Sequence, residues 1–298
     1  MPANMHPRPL LAWSDVLLQY VGFLASFWIL GPVGFRFGVV RGGARDAGAA
    51  VDRAVARGGL VGVFGVALGS VSMIAELAKR GAETHQSLAD VFDAGGASSV
   101  VQFLLLVVLA VAFWLAWRGT RASWPVAGVA AVAFALRNAI SGRLAAMVNP
   151  LHVLGASLWI GTLFVLVVCG LGELLRSAVP ASEREPAVAE LVHRFSFVAL
   201  ASAALLGVTG IITAWKHLHA LRALWTTPYG YALDTKLFFV AVVAGLGAWN
   251  WRRVGPSLGS EGGARAIRRT ATTELAFAAI VLLATAILVS LPSPRLPR

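Results

Sequence analysis

The stretch "MVNPLHVLGASLWIGTLFVLVVCGLGELLR", residues 147–176, holds one histidine, His152, at the head of an almost wholly apolar run. The run closes with the single cysteine of the chain, Cys169, and then becomes charged. About 20 apolar residues form a helix long enough to cross the hydrocarbon core of a membrane, which is about 30 Å thick. The stretch therefore predicts a membrane-spanning helix with one imidazole near its start.

The composition of the whole chain extends this prediction. Hydrophobic residues make up 58% of the 298 residues, charged residues only 13%, and the mean hydropathy is +0.75. A soluble domain carries about 25% charged residues. Apolar runs recur at 16–39, 59–78, 98–117, 123–141, 150–172, 195–215, 231–251 and 272–291. We predict an all-α polytopic membrane protein with eight transmembrane helices.

Basic residues predict how these helices are oriented. Fifteen of the 25 lysines and arginines lie in the connections that follow the odd-numbered runs or, in the case of Arg36, near the end of such a run. The positive-inside rule places these connections in the cytoplasm and both termini on the outer, periplasmic side. We interpret the formal charge of +11 in the same way, as a topology signal facing anionic lipid and not as a nucleic-acid surface.

This orientation gathers potential metal ligands on the outer side. The predicted outer residues of this kind are His6, His85, His152, His217, His219, Met5, Met73 and Met147. Imidazole and thioether groups together suit copper. Isolated surface histidines and apolar methionines also occur without any metal, so the clustering is a hypothesis.

Helical spacing also groups residues along the fifth run. Intervals of three and four residues place His152, Trp159 and Cys169 on one face of a regular helix. Such a face is either a path for a metal ion or a packing surface. Gly155 and Gly161 would favour packing because they allow close helix approach.

Three polar side chains inside later runs are costly to bury. Lys236 and Asn250 share one face of the seventh run, and Glu274 lies within the eighth. An intramembrane glutamate needs a partner, for which Asn250 and Arg194 are the candidates. Lys236 is either functional or extends its ammonium group to the membrane surface.

Several motifs in this order resemble the copper resistance protein D (CopD) family. They are "LHVLGASLWIG" (151–161), "HRFSFVALASAALLGVTG" (193–210), "TPYGYALDTK" (227–236), Asn250 and Glu274. The resemblance is good over about 147–291 and weak over 1–146, so we expect an N-terminal four-helix region, 1–146, and a CopD-like four-helix core, 147–298. His152, Arg194, Tyr229 and Lys236 match positions of the family pattern.

The resemblance implies copper handling at the bacterial inner membrane, often beside a small periplasmic copper-binding protein of the CopC type. Copper would be collected outside by histidine and methionine, pass between polar helix faces, and leave near Cys169, Asn250 and Glu274. The chain departs from the family where Arg143 replaces a histidine and Asn149 stands in place of an aspartate.

Two other functions stay open at this point. A b-type haem electron carrier would need two facing histidines, for which His152 and His217 are the pair. Alternatively, the chain is a non-transporting accessory subunit that has lost its metal ligands, as Arg143 suggests. The sequence has no nucleotide-binding G-x₄-G-K-[ST] and no H-E-x-x-H motif, so we expect no enzyme.

Overall fold

The computed structural model describes residues 11–40, 48–137, 144–218, 222–250, 252 and 261–291. Arg143, His219, His6 and Met5 lie outside these ranges, and at His217 only the backbone is described. The helices are α1 (Trp13–Gly34), α2 (Gly48–Thr84), α3 (Leu88–Ala94), α4 (Gly96–Trp117), α5 (Ser123–Leu136), α6 (beginning as Leu144–Ala156), α7 (Ala181–Leu218), α8 (Ala223–Thr226), α9 (Pro228–Trp249) and α10 (Glu261–Ser290).

Seven segments are long and apolar enough to span a membrane, and they belong to α1, α2, α4, α6, α7, α9 and α10. The predicted fourth span corresponds to α5, a shorter apolar helix of 14 residues. The predicted all-α, multi-pass membrane fold is confirmed. The count of eight spans and the outer position of both termini stay predictions.

Helices α1 and α6 both depart from regular α geometry. Helix α1 continues as a π-helix over Phe35–Val39. Helix α6 continues through a π-helix at Ser157–Gly161, one α turn at Thr162–Val165, a second π-helix at Leu166–Leu171 and a last turn at Gly172–Leu174. Each π turn changes the angle between successive side chains, so residues three and four apart no longer share one face.

The predicted single stripe along α6 is therefore wrong. At its start, Gly155 faces Leu205 and Leu206 of α7. After the first π turn, Thr162 donates a long hydrogen bond (3.4 Å) to the carbonyl of Gly31 in α1. The stripe divides into one part that faces α7, which includes His152, and another that faces α1.

Backbones of α1 and α6 lie in direct contact. A Cβ added to Gly31 would stand 2.8 Å from the Gly161 Cα, and one added to Gly161 would stand 3.0 Å from the Gly31 Cα. Side chains are excluded on both sides of this contact. In lipid, where helix association relies on packing and not on the hydrophobic effect, such small-residue contacts are a main source of stability.

Glycines of α2 also allow close backbone approach, to α4 and to α1. A Cβ at Gly59 would meet the Trp117 backbone nitrogen of α4 at 2.6 Å, and one at Gly65 would meet the Trp28 carbonyl carbon of α1 at 2.7 Å. Helix α2 is thereby fixed between α1 and α4 over most of its length.

Arginines from separate connections meet at one end of the bundle. Arg53 and Arg57, near the start of α2, both form ion pairs with the buried Glu173 at the end of α6, the Arg53 Nε–Glu173 Oε1 distance being 2.7 Å. Arg121 pairs with Asp52 at 2.8 Å. This arrangement agrees with the predicted sidedness, in which these connections share the cytoplasmic face.

The α1–α6 contact yields a stability prediction. Gly31→Ala forces two backbones apart, and we expect it to lower the free energy of unfolding by about 1–3 kcal/mol. Gly207→Ala is the matched control, because a Cβ there meets nothing within 4 Å. It should be neutral or stabilising by up to ~1 kcal/mol through helix propensity. Denaturant unfolding of both purified variants in detergent measures this, and equal effects would contradict the packing described.

Candidate metal site at His152

His152 lies between α6 and α7. Its Nδ1 is 2.9 Å from the Oγ1 of Thr209, a buried residue near the far end of α7. The two helices run antiparallel, so the first turns of α6 meet the last turns of α7. The hydrogen bond joins residues 57 positions apart and fixes the imidazole against α7.

The second hydrogen bond of Thr209 decides which nitrogen of His152 carries the proton. The Thr209 hydroxyl lies 2.6 Å from the carbonyl oxygen of Leu205, which can only accept. The single hydroxyl hydrogen is therefore donated to Leu205, and Thr209 Oγ1 accepts from Nδ1–H of His152. This tautomer leaves the lone pair on Nε2, the form in which an imidazole binds a metal ion.

Glycines of both helices lie at the contact between α6 and α7. A Cβ on Gly210 would be 3.5 Å from His152 Cε1, an ordinary van der Waals distance, so the imidazole lies directly beside the backbone of α7. A Cβ on Gly155, one turn further along α6, would be 3.4 Å from the Ser202 carbonyl. Thr209 orients the imidazole, and Gly210 lies against its edge.

Helix α9 approaches the same region. The side chain of Lys236, on this helix, is partly buried. Thr227 is the N-cap residue of α9, and its hydroxyl accepts a hydrogen bond of 3.0 Å from Gly230 N–H. Pro228 occupies the first position of the helix. Tyr229 is buried in a small cluster with Leu233 and Leu288, which joins α9 to α10.

A second buried polar pair joins α9 and α10. The Asn250 amide nitrogen donates to the carboxylate of Glu274, and both side chains are buried. The predicted partnership of Asn250 with Glu274 is confirmed. Gly247 lies one turn before Asn250. A Cβ on Gly247 would be 4.0 Å from Oε2 of Glu274, the other carboxylate oxygen, so the glycine leaves space there. In the described part of the chain, the buried side-chain amide oxygen of Asn250 (Oδ1) has no hydrogen-bond partner.

Arg194 is the other predicted partner of Glu274, and its guanidinium contacts Glu190 and Val39. Its guanidinium forms an ion pair with Glu190, one turn earlier on α7, and lies 3.4 Å from the Val39 carbonyl. It thereby connects α7 to the π-helical end of α1.

The remaining predicted ligands are dispersed. Met147 is partly buried, whereas Met73 and Cys169 are buried in the core and Trp159 packs against that core. His85 is exposed at the end of α2 with φ 56°, a left-handed turn position. Within the described ranges, no three His, Cys, Asp or Glu side chains converge to hold a metal ion.

Sequence reasoning missed Glu173. Its ion pair with Arg53 joins residues 120 positions apart, and its ion pair with Arg57 joins the same two segments. The available signal was an acidic residue at the charged end of an apolar run, opposite a connection rich in arginine. Thr209 was visible as a polar residue in the sixth run, but its contact with His152 required the packing of α6 on α7.

Two comparisons with known proteins match the chain, over segments of different length. The copper transport protein CutJ of Bacillus subtilis (strain 168) is 28% identical over 222 residues, which are 68% of this chain and 38% of the relative. The chain thus spans about two fifths of that protein's length. No solved structure matches the chain.

A family model also matches, over a segment that contains α9, most of α7 and nearly all of α10. This segment includes Thr209, Lys236, Asn250 and Glu274, whereas His152 precedes it. The match is narrower than the predicted 147–291. The matching model is that of copper resistance protein D, it covers residues 189–288, and it confirms the predicted resemblance over this segment.

Proposed function

We propose that the chain transports copper across the bacterial inner membrane and that His152 is its first ligand within the membrane. The observation that supports this most is the hydrogen bond between His152 Nδ1 and Thr209, which leaves Nε2 with a free lone pair. The match to copper resistance protein D and the likeness to a copper transport protein support copper as the metal.

The proposed route begins at the outer end of α6 and α7. Further outer ligands come from the predicted set, of which Met147 lies five residues before His152. A CopC-type periplasmic protein is the proposed copper donor. The inner end of the route lies near Cys169 and the Asn250–Glu274 pair, where a thiol and a carboxylate are present. No catalytic step is part of this proposal.

Thr209 is proposed as the residue that orients the ligand. A metal-binding histidine usually donates its other ring N–H to an oxygen acceptor, which fixes the ring and raises its basicity. The Thr209 hydroxyl oxygen is this acceptor for His152, and its own hydrogen is donated to the Leu205 carbonyl.

Replacement of His152 tests the transport proposal. We expect His152→Ala to lower copper accumulation by the cells that express the protein and to remove copper from the purified protein. His193→Ala is the matched control, since His193 lies at the other end of α7 against Phe197 and has no role in the proposal. Unchanged cellular copper in His152→Ala would contradict transport and favour an accessory subunit. A haem absorbance band in the purified protein would favour the electron carrier.

Thr209 offers a finer test of the same site. Thr209→Val keeps the shape of the side chain but leaves the His152 Nδ1–H without an acceptor, so copper affinity should fall about tenfold. Thr209→Ser retains the hydroxyl and should bind copper nearly as well as the native protein. Copper titration of both purified variants measures the difference, and equal affinities would show that Thr209 has no influence on the ligand.

A further inference from the structure

A polar cavity of about 510 Å³ lies in the N-terminal half of the bundle, apart from the His152–Thr209 contact. Helices α1, α2, α4, α5 and α6 surround it. From α6 it receives Asn149 and Val153, the neighbours of His152, whereas the His152 ring faces α7. A second cavity of about 300 Å³ adjoins it and shares Glu76, Arg80, Gln102 and Arg137.

Arg137 contributes a guanidinium to the lining of this cavity. Its Nη1 donates a 2.6 Å hydrogen bond to the Phe134 carbonyl, and its guanidinium carbon lies 4.0 Å from the centre of the Phe134 ring. These two contacts hold the guanidinium in place. Its Nε is buried and, among the residues that the structure describes, has no hydrogen-bond partner. A buried N–H of a charged group without an acceptor is costly, which indicates that an acceptor is missing.

Charge decides which kind of ligand would supply this acceptor. The charged residues that line both cavities are Arg80, Arg137 and Glu76, so one positive charge is in excess. Within the described ranges, Arg137 forms no ion pair with Glu76 at 4.0 Å or less. The excess charge disfavours a copper cation. Neutral donors, such as the Gln102 amide, complete the lining.

We propose that this cavity binds an oxyanion, the carboxylate or phosphate group of a ligand, through Arg137 and Arg80. A guanidinium presents parallel N–H donors whose geometry matches the two oxygens of such a group. Glu76 would accept from Arg80 or from a hydroxyl group elsewhere on the ligand, and not from the oxyanion itself. The oxyanion has two possible sources, a small soluble acid or the headgroup of an anionic lipid. This inference does not depend on copper transport.

Soluble anions are tested with the full chain purified in detergent. The thermal unfolding midpoint is measured against sodium phosphate and sodium acetate, with sodium chloride at equal ionic strength as the reference. We expect a saturable increase for the native protein and an apparent affinity about tenfold weaker for Arg137→Gln, which removes a charge-assisted contact. Arg118→Gln is the matched control, because Arg118 is exposed at the far end of α4 and contacts Trp114.

Lipid is tested by native mass spectrometry after extraction from nanodiscs that contain phosphatidylglycerol or phosphatidylcholine. Retention of phosphatidylglycerol by the native protein and by Arg118→Gln, with loss in Arg137→Gln, would identify a lipid headgroup as the oxyanion. If Arg137→Gln fails to fold, Arg80→Gln, at an exposed position of α2, replaces it in both measurements and should weaken binding several-fold. If the native protein shows neither effect, or if both effects survive in the variants, the proposal is overturned.

Discussion

Helices α1 and α6 meet backbone to backbone at Gly31 and Gly161. Gly31 and Gly161 bring the two helices to a distance at which any side chain would clash. The contact falls at the first π turn of α6, Ser157–Gly161. Because the π geometry changes the direction of later side chains, α6 presents His152 to α7 before this turn and Thr162 to α1 after it.

The two ends of the bundle then acquire different chemistry. At one end, the His152 imidazole is oriented by Thr209 with its Nε2 lone pair free. At the other end, Glu173 is satisfied by Arg53 and Arg57, and Asn250 donates to Glu274. The route of the proposed function runs from the imidazole end of the bundle toward the Asn250–Glu274 pair.

Much of this architecture follows from local properties of the sequence. Apolar run length predicts the helices, and the start of α9 follows from Thr227, Pro228 and Gly230. The partnership of Asn250 with Glu274 was predictable because a buried carboxylate requires a donor within reach. In each case the physical cause lies within one helix or in a residue too costly to leave unpaired.

Other features depend on contacts between distant segments. The π turns in α6 have no periodic signature, so the predicted stripe from His152 to Cys169 assumed a regular helix and was wrong. The ion pair of Glu173 with Arg53 and the cavity around Arg137 arise from the packing of α2 on its neighbours. The sequence could show that these residues are polar, but their partners are fixed only by the tertiary structure.

X-ray absorption spectroscopy of copper bound to the purified protein tests the central claim most directly, because it reports the atoms that surround the metal. We expect an imidazole nitrogen in the first coordination shell of the native protein and its loss in His152→Ala. An identical spectrum for the two proteins, or a native spectrum without imidazole, would contradict the claim that His152 is the first ligand within the membrane.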